Sequence, residues 1–96
     1  MTRLMDLKRD YKTGFLRYLV RRDEAPLHTA YVIGRSAVAD GLSILDLSQI
    51  HHEVLLEILQ ETSEEDLDRV GTSAAQYFGE ALATYDMTQR SFLGGS

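Results

Sequence analysis

The stretch Ser63–Phe92, SEEDLDRVGTSAAQYFGEALATYDMTQRSF, decides the fold. Ser63 stands ahead of Glu64, Glu65 and Asp66, so it offers a side-chain acceptor to the orphan N–H groups of a helix start, with an acid three residues on to reciprocate. Behind it Leu67, Val70, Ala74, Tyr77/Phe78, Ala81/Leu82, Tyr85 and Phe92 recur at steps of three, four and seven. That spacing keeps side chains on one face of a 3.6-residue turn. No proline interrupts the run. The pattern therefore predicts one helix of about 30 residues and roughly 45 Å. A helix of this length needs neighbours along it, and the rest of the chain reads as those neighbours.

With 96 residues, 44% of them hydrophobic, the chain can build one modest core, so residues 1–96 are expected to form a single domain. The absence of cysteine removes disulfide frameworks, thiolate nucleophiles and cysteine-based zinc sites. Arg3, Asp6, Lys8, Arg9 and Asp10 leave no room for a signal-peptide core, and no stretch approaches the roughly 20 apolar residues that span a bilayer. A cytoplasmic location is expected, with no membrane partner.

The net charge of −5 argues against nucleic acid as a partner, because nonspecific affinity comes from neutralising phosphates with Lys and Arg. The charges are unevenly spread. Residues 1–35 carry eight Lys/Arg against four Asp/Glu, and residues 36–96 carry two against eleven. Helices of opposite charge packed side by side would account for this. A basic face on the first helix for an acidic partner is the functional reading.

From Thr2 to about Arg22 a stripe of Leu4, Leu7, Tyr11, Phe15, Tyr18 and Leu19 predicts the first helix, interrupted by Gly14 where a neighbour can pack closely. The second follows Asp23-Glu24-Ala25-Pro26, runs to about Ala39 or Asp40 on Leu27, Ala30/Tyr31, Gly34 and Ala37/Val38, and stops at Gly41. Gly41–Leu45 reads as a tight connection in which Leu42, Ile44 and Leu45 plug the end of the bundle. Asp46, with Ser48 as the alternative, is expected to cap a third helix carrying Leu47, Ile50, Val54/Leu55, Ile58 and Leu59 to about Gln60 or Glu61. The fold class is all-α, an up-and-down four-helix bundle with a long C-terminal helix. Leu55, Ile58, Leu67, Phe78 and Leu82 are expected in its core.

No metal, cofactor or catalytic constellation emerges. His51 and His52 point about 100° apart on a helix, His52-Glu53 lacks the second histidine of a zinc-protease helix, and Ser48 and Gln49 stand where a di-iron site needs glutamate. The acids of 64–68 sit at a helix start, where they serve the cap and the dipole. One pattern is less ordinary. Gly71, Ala75, Gly79 and Ala83 recur every four residues on the long helix, and Ala30, Gly34 and Ala37 form a shorter row on the second. Such rows let another backbone approach, either inside the monomer or in a second copy about a two-fold axis. Tyr85, Met87 and Phe92 continue the apolar pattern beyond the reach of the shorter helices.

Gly41-Leu42-Ser43-Ile44-Leu45-Asp46-Leu47 with Ile50-His51-His52-Glu53, and Tyr77-Phe78 through Ala81-Leu82 to Tyr85-Asp86-Met87-Thr88-Gln89-Arg90 and Phe92, resemble the N-terminal regulatory domain of RsbU-type phosphoserine phosphatases. A similar helical bundle is known in the clock protein KaiA. The resemblance covers most of residues 25–93, and the first helix contributes only its length and amphipathicity. It implies a non-catalytic helical module that dimerises, receives a protein partner of switch-kinase type and controls a C-terminal output such as a PP2C-type serine phosphatase in bacterial stress signalling. Gly71, Ala75, Gly79, Ala83, Tyr85 and Phe92 are the expected dimer or partner interface. The chain stops at Gly94-Gly95-Ser96, where the family continues into a linker helix. An excised regulatory domain and a free-standing helical adaptor or scaffold both fit.

Overall fold

A computed structural model describes residues 3–21 and 24–94, with the side chains of 4–21 and 27–91. Four helices follow in order: α1 (Arg3–Val20), α2 (Glu24–Ala39), α3 (Ile44–Leu59) and α4 (Leu67–Gly94), with a 3₁₀ turn at Glu64–Asp66. There is no strand among the described residues. At 28 residues α4 is about 42 Å long, close to the 49 Å length of the molecule.

The contacts show the up-and-down arrangement. Lys8 pairs with Glu53 and Lys12 with Glu57, so α1 and α3 run parallel. Arg69 reaches the Leu19 carbonyl at one end of α1, while Tyr11 lies against Tyr77 further along, so α4 is antiparallel to α1. α1 and α4 form the inner pair, with α2 and α3 packed on either side. The buried centre is aromatic: Tyr11, Phe15 and Tyr18 of α1 gather around Tyr77 at centroid distances of 5.1, 5.6 and 5.9 Å. Leu47, Ile50 and Val54 from α3 and Ala30, Ile33 and Ala37 from α2 close the core around them.

The α2–α3 connection shows how local chemistry sets helix ends. Gly41 takes φ 76°, a conformation open to glycine, and lets its own N–H reach the Val38 carbonyl while the Leu42 N–H reaches that of Ala37. Those two bonds satisfy carbonyls at the end of α2 in a Schellman motif. Two residues on, the Ser43 hydroxyl accepts from the Asp46 N–H at 3.1 Å and the Asp46 carboxylate accepts from the Ser43 N–H at 3.0 Å. The cap of α3 is therefore Ser43 and not Asp46 or Ser48; Asp46 is the reciprocal acid of a capping box. Starting α3 at Ile44 turns Ile44 and Leu45 to solvent, 46% and 76% exposed, and leaves Leu42 alone to plug the end.

The start of α4 differs from its expectation for a similar reason. The Ser63 hydroxyl makes no bond to a backbone N–H, and the chain turns through the 3₁₀ segment before the α-helix begins at Leu67. Leu67 is consequently 42% exposed, and Val70 is the first buried residue of the helix. Of the other expected core residues Ile58 is buried, whereas Leu55, Phe78 and Leu82 are half-buried at the flank. Where the pattern left Tyr77/Phe78 and Ala81/Leu82 open, Tyr77 and Ala81 face the core.

Candidate interaction surface

The two rows of small residues have opposite fates. On α2, Ala30 and Ala37 are fully buried, and a Cβ on Gly34 would stand 2.5 Å from the Ala81 carbonyl oxygen and 2.9 Å from the Thr84 Cβ. Close packing inside the monomer belongs to this row, which lets α2 lie on α4. On α4, by contrast, Ala75 and Ala83 are exposed, and a Cβ on Gly71 or Gly79 would meet nothing within 4 Å. No neighbour in the monomer asks for a small residue at either position.

Sequence and exposure together make this face of α4 unusual. Between Val70 and Tyr85 the one charged residue is Glu80, and it turns toward α2, where it lines a groove of about 680 Å³ with Tyr31, Arg35, Ala83 and Met87. The outward side therefore presents Gly71, Thr72, Ala75, Gln76 and Gly79 without a charge, with Ala83 at its border with the groove, and is bounded by Asp68 and Arg69 before it and Asp86 and Arg90 after it. Met87 follows it, 70% exposed. Tyr85 is committed elsewhere: it is 7% exposed and its hydroxyl donates to the Leu42 carbonyl at 2.8 Å, tying α4 to the α2–α3 connection. The Phe92 side chain lies outside the described residues.

The charge asymmetry is in part consumed inside the bundle. Lys8 reaches Glu53 and Glu57 at 3.3 and 3.1 Å, and Lys12 reaches Glu57 at 3.0 Å. Hydrogen bonds from Lys12 and Lys8 hold the Glu57 carboxyl below its ordinary range, and Gln49 and Lys8 do the same for Glu53. These pairs are open to water, so they order the α1–α3 joint more than they stabilise it.

The histidines separate into a packing residue and a surface one. His52 is exposed. His51 is half-buried; its ring stacks on Phe78 at 4.0 Å with planes 5° apart, and its Nδ1 lies 2.7 Å from the Tyr11 hydroxyl. Burial, and then the charge of His52, push its pKa below the ordinary histidine value. The spacing of the histidines predicts no partner for His51, and the available signal is its place seven residues before the buried Ile58 on the same helix. No cluster of three potential metal ligands is found among the described residues, and no helix there is long and apolar enough to cross a membrane.

Fold and surface define a small helical bundle with an uncharged, exposed face on its last helix. The chain belongs to the family of the N-terminal domain of the phosphoserine phosphatase RsbU, whose pattern it matches over residues 9–88. No curated protein and no solved structure matches it significantly.

Proposed function

We propose that this chain is a non-catalytic signalling module of the cytoplasm that dimerises through α4, binds a protein partner of switch-kinase type and controls a C-terminal output such as a PP2C-type serine phosphatase. The observation that carries the reading is family membership over residues 9–88, since that family is a regulatory domain of a phosphatase. The uncharged face of α4 supports the dimer: interface cores are depleted of charge, and small side chains let two helices approach closely. Helical glycines cost about 1 kcal/mol each relative to alanine, and at Gly71 and Gly79 nothing in the monomer offsets that. A second copy of α4 would. Two such helices side by side would make α4 a symmetric lever between the partner and the output.

Sedimentation of the wild-type chain and of Gly79→Leu tests the seam. A leucine at Gly79 points into open space in the monomer, so it cannot overpack the bundle. Across a close seam it should cost about 1–3 kcal/mol, counted once per copy. The expected result is a wild-type dimer at micromolar concentration that Gly79→Leu shifts toward helical monomer. A wild-type monomer at high concentration removes the dimer, and an undisturbed Gly79→Leu dimer moves the seam off this face.

A further inference from the structure

The bare backbone at Gly34 lets α2 close on α4 beside Thr84, whose Cβ would stand 2.9 Å from a side chain there. Thr84 is left 5% exposed and lines the α2/α4 groove of about 680 Å³. A groove of this size falls in the range of small-molecule sites. No hydrogen bond of the Thr84 hydroxyl is found among the described residues, although buried polar groups are normally paired. The groove therefore holds a hydroxyl whose donor and acceptor capacities are both unused.

The walls beside it carry one charge of each sign. From α2 comes Arg35, whose Nη1 donates to the Tyr31 hydroxyl at 3.1 Å and whose Cζ lies 5.9 Å from the centre of the Tyr31 ring. Tyr31 is stacked on His28 in turn, at 5.3 Å with planes 23° apart, so the guanidinium rests on a ring that is itself held. A neutral phenol leaves most of the guanidinium fork open to a carboxylate. From α4 comes Glu80, which makes no ion pair among the described residues and does not reach Arg35 across the groove. The α1–α3 joint is the contrast: there Lys8 and Lys12 close directly on Glu53 and Glu57. Ala83 and the 70% exposed Met87 add apolar surface next to the two charges.

We propose that the α2/α4 groove binds a free aliphatic α-amino acid, with its carboxylate on Arg35 and accepting from the Thr84 hydroxyl, its ammonium on Glu80 and its side chain on Ala83 and Met87. A zwitterion that carries both charges on one carbon bridges an acid and a base that do not meet. An anion alone leaves Glu80 unneutralised beside it, and an amine alone does the same to Arg35. The site is built by α2 and the α2-facing side of α4, so it does not rest on self-association of α4.

The test is an amide-shift titration of the ¹⁵N-labelled chain with L-leucine, run beside isocaproate, which is leucine without its ammonium, and isoamylamine, which is leucine without its carboxylate. The expected result is saturable shifts centred on Tyr31, Arg35, Ala83, Thr84 and Thr88 with leucine, and binding weaker by about tenfold or more with either analogue, a loss of about 1.4 kcal/mol. Arg35→Gln and Glu80→Gln lie outside the buried core and should each weaken leucine binding by a similar factor. Thr84→Val keeps the shape of the side chain and removes its hydroxyl, so it should weaken binding in a chain that stays folded. Gly79→Leu should bind leucine as the wild type does whatever its state of association; a loss there would place the effect in the α4 seam and overturn the site. So would an unsaturated titration at about 10 mM, equal affinity for isocaproate, or a Glu80→Gln chain that binds as the wild type does.

Discussion

Gly14, Gly34 and Gly79 all sit inside helices, and each answers a different question. At Gly34 the obstacle to a side chain is backbone, the Ala81 carbonyl oxygen and the Tyr85 nitrogen at 3.0 Å, which cannot move without shifting α2 off α4. At Gly14 the obstacles are the tip of Tyr77 and the methyl of Thr29, side-chain atoms that can yield a little. At Gly79 there is none. Gly34→Ala should therefore destabilise by about 1–3 kcal/mol, Gly14→Ala by less than Gly34→Ala, and Gly79→Ala should stabilise the monomer by about 0.5–1 kcal/mol. Urea denaturation at low chain concentration measures all three, and a loss at Gly79 would mean the α4 face is covered in the monomer. The glycines were visible in the sequence, but which ones are crowded was not, because crowding is a property of the neighbour.

At the scale of the element, residue type marks the end of α2 more sharply than it marks the start of α3. Gly41 marks the end of α2 because positive φ is a local demand that the residue type itself announces. α3 starts three residues before the point a cap at Asp46 predicts, since Ser43 and Asp46 are both good capping residues and the choice depends on whether Ile44 and Leu45 can be left in water. Removing the Ser43 hydroxyl leaves the Asp46 N–H without its acceptor. Ser43→Ala should cost about 0.5–2 kcal/mol in chemical denaturation, while Leu45→Ser, at a position 76% exposed, should stay within about 0.5 kcal/mol of wild type. The reverse order of effects would return the cap to Asp46.

Across the whole molecule, α1, α3 and α4 meet at His51. Its ring is pressed on Phe78 and shares a hydrogen bond with Tyr11, a tyrosine 1% exposed. The titratable groups facing it are Tyr11 from α1 and His52 from its own helix, and from α4 it meets the neutral Phe78. Because burial lowers the His51 pKa in the folded chain, the unfolded chain binds the proton more readily. The stability this residue contributes is thus present above the unfolded pKa, about 6.5, and is lost as pH falls through the lower folded value. The urea midpoint should drop between about pH 7.5 and 5.5, and His51→Gln should flatten that part of the profile. A wild-type midpoint unchanged over this window would show that the histidine titrates freely.

Four helices, their order, the glycine that ends the second and the long apolar stripe of the last were all determined by the sequence alone. They rest on periodicity and backbone propensity, which act over a few neighbouring residues. The tertiary structure decided what periodicity leaves degenerate. Tyr77 rather than Phe78 became the core residue because Tyr11, Phe15 and Tyr18 converge on it from α1. The row on α2 was buried and the row on α4 exposed because α2 has α4 to lie on, while the outer side of α4 has no helix left to cover it. The same stripe width of about 100° can be rotated by one residue without losing its periodicity, so only the positions of the other helices choose the face.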